Sequence, residues 1–494
     1  MKRIIFTGLF LTICFFAAKA QIYNLSLEES IEIAKKQSYE IQSLLQDKVI
    51  AENDLQAALA NMKTRVFMNF TLPQFTENVQ QWQDSLGISF FPIKTLNGLG
   101  RLNIVQPLPT DGTISVSSEL SATNDYFRDM RATQLYTSIR LTQSLNSLWG
   151  YNDIKSTLKS ARLNYERASK ALKRSELNLI YSVTASFYDL LFQQKTTEIA
   201  KMNLDRLTEA YEISNNKYEA GLIREVENLQ NEVDLADAQN TYDLSLLNIK
   251  SSTNNFKRLI GLELDAEVSL KSEMSKYSAI QVDPNKAVEM AIANRLEIKE
   301  SEIQIEMQKI LISRQKYQGQ PQANLVASWN KIGVSNIGIS ETFPTSLSGS
   351  WENLIARPSN YQVGFTVYIP IIDWGRNKRL VKAAEARLKL NMLTKEDQQR
   401  GIEVEVKNLV ASLQTNYNRL RQLERSVIVA EKSYGITLQR YTDGDIDSQT
   451  LSLERERLNR TRQSHLNAYV KYRLDLADLM RKTFYDFEND VPIE

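Results

Sequence analysis

The sequence predicts long coiled-coil helical hairpins joined to membrane-type β-strands, in an object that closes only when copies of the chain assemble. Three observations carry this expectation. From Trp374 to Tyr441 helical periodicity persists without a proline, and a helix of that extent is about 100 Å long at about 1.5 Å per residue. Just before it Tyr361, Val363, Phe365, Val367 and Ile369 alternate with smaller or more polar neighbours, the period of a strand with one apolar face. The same order of features occurs twice along the 494 residues.

The first twenty residues, MKRIIFTGLFLTICFFAAKA, place Lys2 and Arg3 before an apolar run and end on Ala18-Lys19-Ala20. This predicts a secretory signal cleaved after residue 20, its apolar run being too short to span a bilayer. A lipoprotein reading through Cys14 is the weaker alternative, because Thr12-Ile13 precedes it instead of small residues. Removing residues 1–20 takes away Lys2, Arg3 and Lys19 and leaves 57 basic against 59 acidic side chains. A near-neutral chain argues against nucleic acid as a partner. Cys14 is the only cysteine, so disulfides are excluded and stability must come from packing or assembly. No other apolar run reaches about 18 residues, so a membrane crossing requires a closed β-barrel.

In chain order, residues 26–62 read as one helix, with Ser26 and Glu29 forming a capping box. RVFMNFTL follows as a strand, then a long polar loop with Trp82, Pro92 and several glycines, then strand-like pieces at 101–106, 113–120 and 133–143. Thr110-Asp111-Gly112 predicts a turn, so this region holds either an extra hairpin or an elaborated loop. Residues 151–220 contain neither proline nor glycine, and Leu158, Ala161, Tyr165, Ala168 and Leu172 keep helical spacing. Gly221 ends that helix through a left-handed residue, and a shorter helix runs on to Gly261. A further helix is expected over 284–318. In the last long helix Ala383, Ala386, Leu390 and Leu393 lead to a heptad seam at Leu413, Leu420, Leu423, Val427, Ala430, Tyr434 and Tyr441, with polar Asn416 and Thr437 at its other positions. Gly401 within it costs about 1 kcal/mol relative to alanine.

The halves echo each other. Ala34-x5-Glu40-Ile41 matches Ala291-x5-Glu297-Ile298 at a shift of 257, Trp149-Gly150 matches Trp374-Gly375, and Tyr218-x-x-Gly221 matches Tyr441-x-x-Gly444. The expected division is a signal over 1–20, a first repeat over 21–282 and a second over 283–494. The first would hold strands at about 64–143 and a hairpin at about 150–260, the second strands at about 322–370 and a hairpin at about 375–482. Matching helix lengths gives a rod of four helical columns with the strands at one end and both glycine turns at the other. Such a sheet has open edges, which rotational assembly into a barrel and a tube removes.

SLEESIEIA and its echo DPNKAVEMAIAN, the junctions SLNSLWG and PIIDWGRNKRLVKAAEARL, and the turns KYEAGLIREVENLQNEVDLADAQ and RYTDGDIDSQTLSLERERL resemble the TolC-like outer membrane efflux family over nearly the whole mature chain. That resemblance implies an α-helical barrel plus a transmembrane β-barrel shared by three protomers, four strands each. It implies a Gram-negative outer membrane setting with outer-membrane lipid around the barrel and the tube reaching into the periplasm. The function implied is a passive, tip-gated exit duct of a tripartite efflux or type I secretion system. Its partners would be a homotrimer's other copies, a periplasmic adaptor and an inner-membrane pump of RND or ABC type. Tyr218, Gly221, Leu222, Tyr441 and Gly444 fall at the tip and adaptor-contact positions. Of the paired acidic positions of the family's constriction, one carries Glu227 and the other Thr450, while an arginine latch position carries Ile446. Asp443, Asp445 and Asp447 offer substitute acids at the entrance, against ordinary turn chemistry as the plainer alternative.

No catalytic constellation, cofactor or metal is expected. Without a mature cysteine and with His465 alone, Cys–His chemistry is excluded, and His465 reads as a surface or packing histidine on a helix. Tyr361, Tyr368, Trp149 and Trp374 read as interface girdles or as core, and Arg376, Lys378 and Arg379 as headgroup-facing, pore-lining or simply solvated. The contrasting functional class is a periplasmic or surface coiled-coil scaffold that forms no barrel.

Overall fold

A computed structural model describes residues 22–493 apart from 86, 272–276, 278, 336–337 and 340–341. The expected signal segment, with Cys14, lies outside the described residues. The first half contains β1 (Ile22–Leu25), α1 (Leu27–Gln37), α2 (Tyr39–Ala60), β2 (Arg65–Asp84), β3 (Gly87–Pro107), β4 (Gly112–Asp125), β5 (Met130–Ser144), α3 (Asp153–Glu219), α4 (Glu225–Ile260) and β6 (Glu267–Leu270). The second contains α5 (Pro284–Asn294), α6 (Leu296–Gln318), β7 (Gln322–Val334), β8 (Gly338–Ile339), α7 (Phe343–Ala356), β9 (Asn360–Tyr368), α8 (Arg376–Asp443), α9 (Ser448–Thr483), β10 (Tyr485–Asp486) and β11 (Val491–Pro492). Two compact units result, each drawing on both halves of the chain.

One unit comprises residues 22–45, 171–298 and 398–493 and is helical apart from the short pairs β1–β6 and β10–β11. Its core brings together Leu190 and Val183 of α3, Phe256 of α4, Val406 and Leu420 of α8, and Tyr469 and Tyr472 of α9. The capping box at Ser26 is present: its hydroxyl accepts from the Glu29 N–H at 3.2 Å while its own N–H donates to the Glu29 carboxylate at 2.8 Å. The helix expected over 26–62 is nevertheless broken at Ser38, and the one over 284–318 at Arg295. Both residues are extended, with ψ of 126° and 125°. They are related by the 257-residue shift that relates Ala34 to Ala291. After each break the N–H still reaches the alanine carbonyl four residues back, at 2.9 Å. The kink turns α1 onto α4 and α5 onto α9. Arg295 is further held by Glu405 at 2.6 Å and Glu297 at 3.1 Å. Burial alone would raise the Glu405 carboxyl, but Lys482 and Arg295 together hold it below its usual range.

The other unit, residues 46–170 and 299–397, is built on a seven-stranded antiparallel sheet in the order β2-β3-β4-β5-β7-β9, with β8 added at the far end of β5. The loop expected between RVFMNFTL and residue 101 is instead the long hairpin β2–β3. The region after α2 therefore supplies two hairpins where the family resemblance implies one, and six long strands share the sheet instead of four. Turn chemistry explains both. Asp111 takes the left-handed φ of 65° that the turn before Gly112 needs, and Gly87 at φ 129° closes β2–β3. Helix α7, not foreseen, covers part of β5 and β7. The long helices α3 and α8 run unbroken for 67 and 68 residues, Gly401 included.

Candidate functional site

In the helical unit, two glycine turns form the candidate entrance. At the first, Leu222 N–H donates to Lys217 O at 2.8 Å and Gly221 N–H to Tyr218 O at 2.9 Å; at the second, Asp445 N–H reaches Arg440 O at 2.9 Å and Gly444 N–H reaches Tyr441 O at 3.1 Å. These nested bonds define a Schellman ending, which needs a left-handed residue, and Gly221 and Gly444 supply it at φ 72° and 87°. Leu222 is exposed, as are Val226, Leu229 and Val233 beyond it on α4. An apolar stripe is thus left bare at the first turn.

The turns are tied together by side chains that sequence reading did not single out. Lys217 of α3 donates to the Tyr441 carbonyl at 2.6 Å and sits 4.5 Å from the centre of the Tyr441 ring. A cation there complements the C-terminal dipole of α8 as well as the ring face. Tyr441 is buried among Ala430, Tyr434, Leu451 and Leu458. Burial, reinforced by the Glu227 charge, lifts its phenol above the ordinary range. Ile446, at the position of the absent latch arginine, packs against the same cluster. Deeper along the hairpins Arg455 of α9 meets Asp234 of α4 at 2.8 Å, both largely buried. Arg455 lies between Leu451 and Leu458 in a buried helical stripe, and a charge at a seam position was the available signal.

The acidic residues separate by role. Asp443 and Asp445 are exposed at the second turn. Asp447 caps α9, accepting from the Thr450 N–H at 2.9 Å and the Thr450 hydroxyl at 2.7 Å, and these bonds hold its carboxyl below the usual range. Thr450, at the half-lost acidic position, therefore serves the cap. Glu227 is half-buried in the first turn of α4, and Tyr218 is partly exposed on α3. The structure thus brings Glu227 to Tyr441 and leaves Asp443, Asp445 and Leu222 facing outward. His465 is half-buried on α9, and burial lowers its pKa.

In the sheet unit the two faces differ sharply. One register row reads Val66, Ile104, Val116, Ile139, Trp329 and Tyr361 across all six long strands. The next row, on the opposite face, reads Phe67, Asn103, Ser117, Ser138, Asn330 and Asn360. Arg101 and Glu119 pair on that polar face. One face suits hydrocarbon and the other an aqueous lumen. Where the apolar face carries Thr133 and Ser335, α7 covers them. Thr133 Oγ1 lies 3.0 Å from the Ser346 hydroxyl and 2.6 Å from that of Ser350, while α7 turns Phe343, Trp351 and Ile355 outward. Trp149, Trp374, Tyr361 and Tyr368 are 60–92% exposed, so none of them packs in the protomer's own core. Arg376, Lys378 and Arg379 are exposed as well.

An antiparallel sheet with one apolar face, carried with very long helical hairpins, defines a membrane-channel subunit. The chain belongs to the outer membrane efflux protein family, whose model matches residues 113–262 and 287–483. Its fold is similar to three solved structures, one described as an outer membrane protein and two as outer membrane channels. VceC of Vibrio cholerae is 16% identical, with a TM-score of 0.68 over 95% of this chain and 97% of that one. CmeC of Campylobacter jejuni is 13% identical, with a TM-score of 0.69 over 95% and 86%. The open state of MtrE of Neisseria gonorrhoeae is 15% identical, with a TM-score of 0.62 over 94% and 90%. No curated protein matches the chain by sequence. The protein is an outer membrane efflux channel and not an enzyme. Among the described residues no helix is long and apolar enough to cross a membrane, and no cluster of potential metal ligands occurs.

Proposed function

We propose that three copies form a passive exit duct, gated at the glycine turns, that works with a periplasmic adaptor and an inner-membrane pump of RND or ABC type. The observation that carries the reading is the sheet itself: it has an apolar face and, among the described residues, two unpaired edges, β2 and β9. Edges of that length in a bilayer demand closure by further strands. Bare apolar residues on the long helices support the same assembly. Ala383, Ala386, Leu390 and Leu393 of α8 are exposed within the protomer, a seam that neighbouring copies would cover. A scaffold without a barrel would leave the whole apolar sheet face in water. The repeat boundary at 282/283 belongs to this reading, with one hairpin tip from each repeat. Leu222 and the stripe after it are the surface offered to the adaptor.

The test is the detergent-corrected mass, by light scattering, of protein extracted from outer membranes. A trimer is expected; a monomer that washes off without detergent would sink the duct and favour the scaffold. The acidic entrance has its own test, the combined change Glu227→Gln, Asp443→Asn, Asp445→Asn and Asp447→Asn. Asparagine still caps a helix, so α9 stays in place. Cation preference in bilayer recordings should fall toward that of an uncharged pore. Unchanged selectivity and cation block would remove the acidic entrance and leave the duct untouched.

A further inference from the structure

We infer that α7 is a membrane-contacting helix: it lies on the outer wall of the barrel and sets an apolar stripe of Phe343, Leu347, Trp351 and Ile355 into the acyl chains of the outer leaflet. The inference rests on the reading of the sheet's apolar face as lipid-facing and adds an interfacial helix to a surface otherwise made of strands.

Position is the first support. The ladder of β9 on β7 stops at Asn360↔Asn330, whereas β5 and β7 stay paired as far as Gln134↔Val334. Helix α7 occupies the place beside and over β7 where β9 has ended. Its course is marked by three bonds at 3.0 Å: the Ser346 hydroxyl donates to that of Ser335, the Val334 N–H to Asn353 Oδ1, and Lys331 Nζ to the Ile355 carbonyl. The helix therefore runs back along β7 toward Asn330, with its C-terminus nearest the apolar rows. Thr133 and Ser335, which it covers, lie an even number of residues from Ile139 and Trp329 and so share their face. Leu135, Leu120 and Phe70 belong to that face as well, in the row that Gly333 completes. The strands join the helices at Ser144, Gln322 and Tyr368, so α7 stands at the opposite, outer-leaflet end.

The second support is that the amphipathicity of α7 is inverted. A helix on a water-facing surface turns its apolar stripe inward and its polar side chains out. In α7, Ser346, Ser350 and Asn353 recur at helical spacing on the side packed against the sheet, and both serines are fully buried. The Ser350 hydroxyl donates to the Thr133 carbonyl at 2.7 Å. Trp351 and Ile355, by contrast, are 58% and 62% exposed. Hydrocarbon selects this arrangement, because polar groups that cannot reach water must find partners within the protein. Glu352 is the helix's one charged residue, and it lies with Thr345 and Ser348 on an exposed polar flank. A helix with an apolar stripe and a polar flank belongs at the boundary of acyl chains and headgroups, where tryptophan is enriched. A second copy is not the occupant, since a barrel closes through the edges of its sheet and leaves the outer face to the bilayer.

Fluorescent labels test the stripe. Cys14 is the only cysteine and falls in the expected signal, so introduced cysteines report alone. Trp351→Cys and Ile355→Cys, each carrying an environment-sensitive dye, would be read in the protein reconstituted into phosphatidylcholine vesicles. Acyl-brominated lipid serves as one quencher and aqueous iodide as the other. Both side chains point away from the sheet, so the labels leave the contacts of Ser346 and Ser350 with Thr133 in place. Val363→Cys on β9 is the lipid reference, and Asp445→Cys at the second glycine turn is the water reference. The α7 labels are expected to be dimmed by brominated lipid as strongly as the Val363 label, and to be as well shielded from iodide. Iodide quenching equal to that at Asp445, with the Val363 label still dimmed by brominated lipid, would put α7 in water and overturn the inference while keeping the barrel. Resistance to both quenchers would show that protein covers the stripe, and would overturn it equally. A Val363 label untouched by brominated lipid would instead reject the lipid-facing sheet, and this inference with it.

Discussion

Arg455→Met is expected to destabilise the helical unit by about 3 kcal/mol, the lower end for removing one partner of a buried ion pair. Arg455 is 8% exposed and Asp234 19%. Methionine fills much of the arginine's volume but leaves a carboxylate held by two neutral donors, the Gln230 side-chain amide at 2.9 Å and the Ser452 hydroxyl at 3.3 Å. An unpaired charge in that setting is costly because neutral donors replace only part of its hydration. For a unit of this size the apparent Tm should fall by roughly 6–12 °C. Asp234→Asn combined with Arg455→Met should cost less than the two single changes added together, since the charge left behind is gone. The pair joins α4 of one hairpin to α9 of the other, so within the proposed gate its loss should also raise resting conductance. A Tm within about 2 °C of the parent would show that the pair contributes no more than a surface bridge.

The long helices were legible because their periodicity persists over many turns, and the glycine turns because a left-handed ending leaves few residue choices. The kinks at Ser38 and Arg295 were not. Ala34 and Ile41 are seven residues apart, as are Ala291 and Ile298, so the apolar phase is the same on both sides of each break. A pattern that detects phase cannot detect a bend that preserves it. The repeated motif was visible and carried the position of the kink without its meaning. Hairpin β2–β3 was hidden for another reason: Pro73, Pro92, Gly98 and Gly100 dilute its alternation, and these residues usually signal loops. Strands β1, β6, β10 and β11, at two to four residues, are too short for any period to register. At the entrance, Lys217 and Asp234 look like ordinary solvated helix charges, and their partners lie more than 200 residues away. Arg455 alone stood at a seam position where a charge is out of place.

Gly333→Ala should dislodge α7, although one methyl group is a small change in a strand. A Cβ at that position would stand 2.1 Å from the Ser350 carbonyl oxygen and 2.6 Å from the Leu354 Cβ. The first obstacle is backbone, so no rotamer change relieves it and the helix itself must move. Movement separates Ser346 and Ser350 from Thr133 and takes the Asn353 side-chain Oδ1 from the Val334 N–H, which donates to it at 3.0 Å. The apolar face would then present Thr133 and Ser335 hydroxyls to lipid without their partners, each unmade buried hydrogen bond costing about 1–3 kcal/mol. Hydrogen exchange should show α7 amides losing at least about a hundredfold in protection, with α3 and α8 unchanged, and less protein should reach the outer membrane. Gly364 on the neighbouring β9 is the control, since an added Cβ there meets nothing within 4 Å. Gly364→Ala should behave as the parent. Equal protection of α7 in the two variants would mean that α7 does not rest on Gly333, and that the polar patch on the lipid-facing side is satisfied some other way.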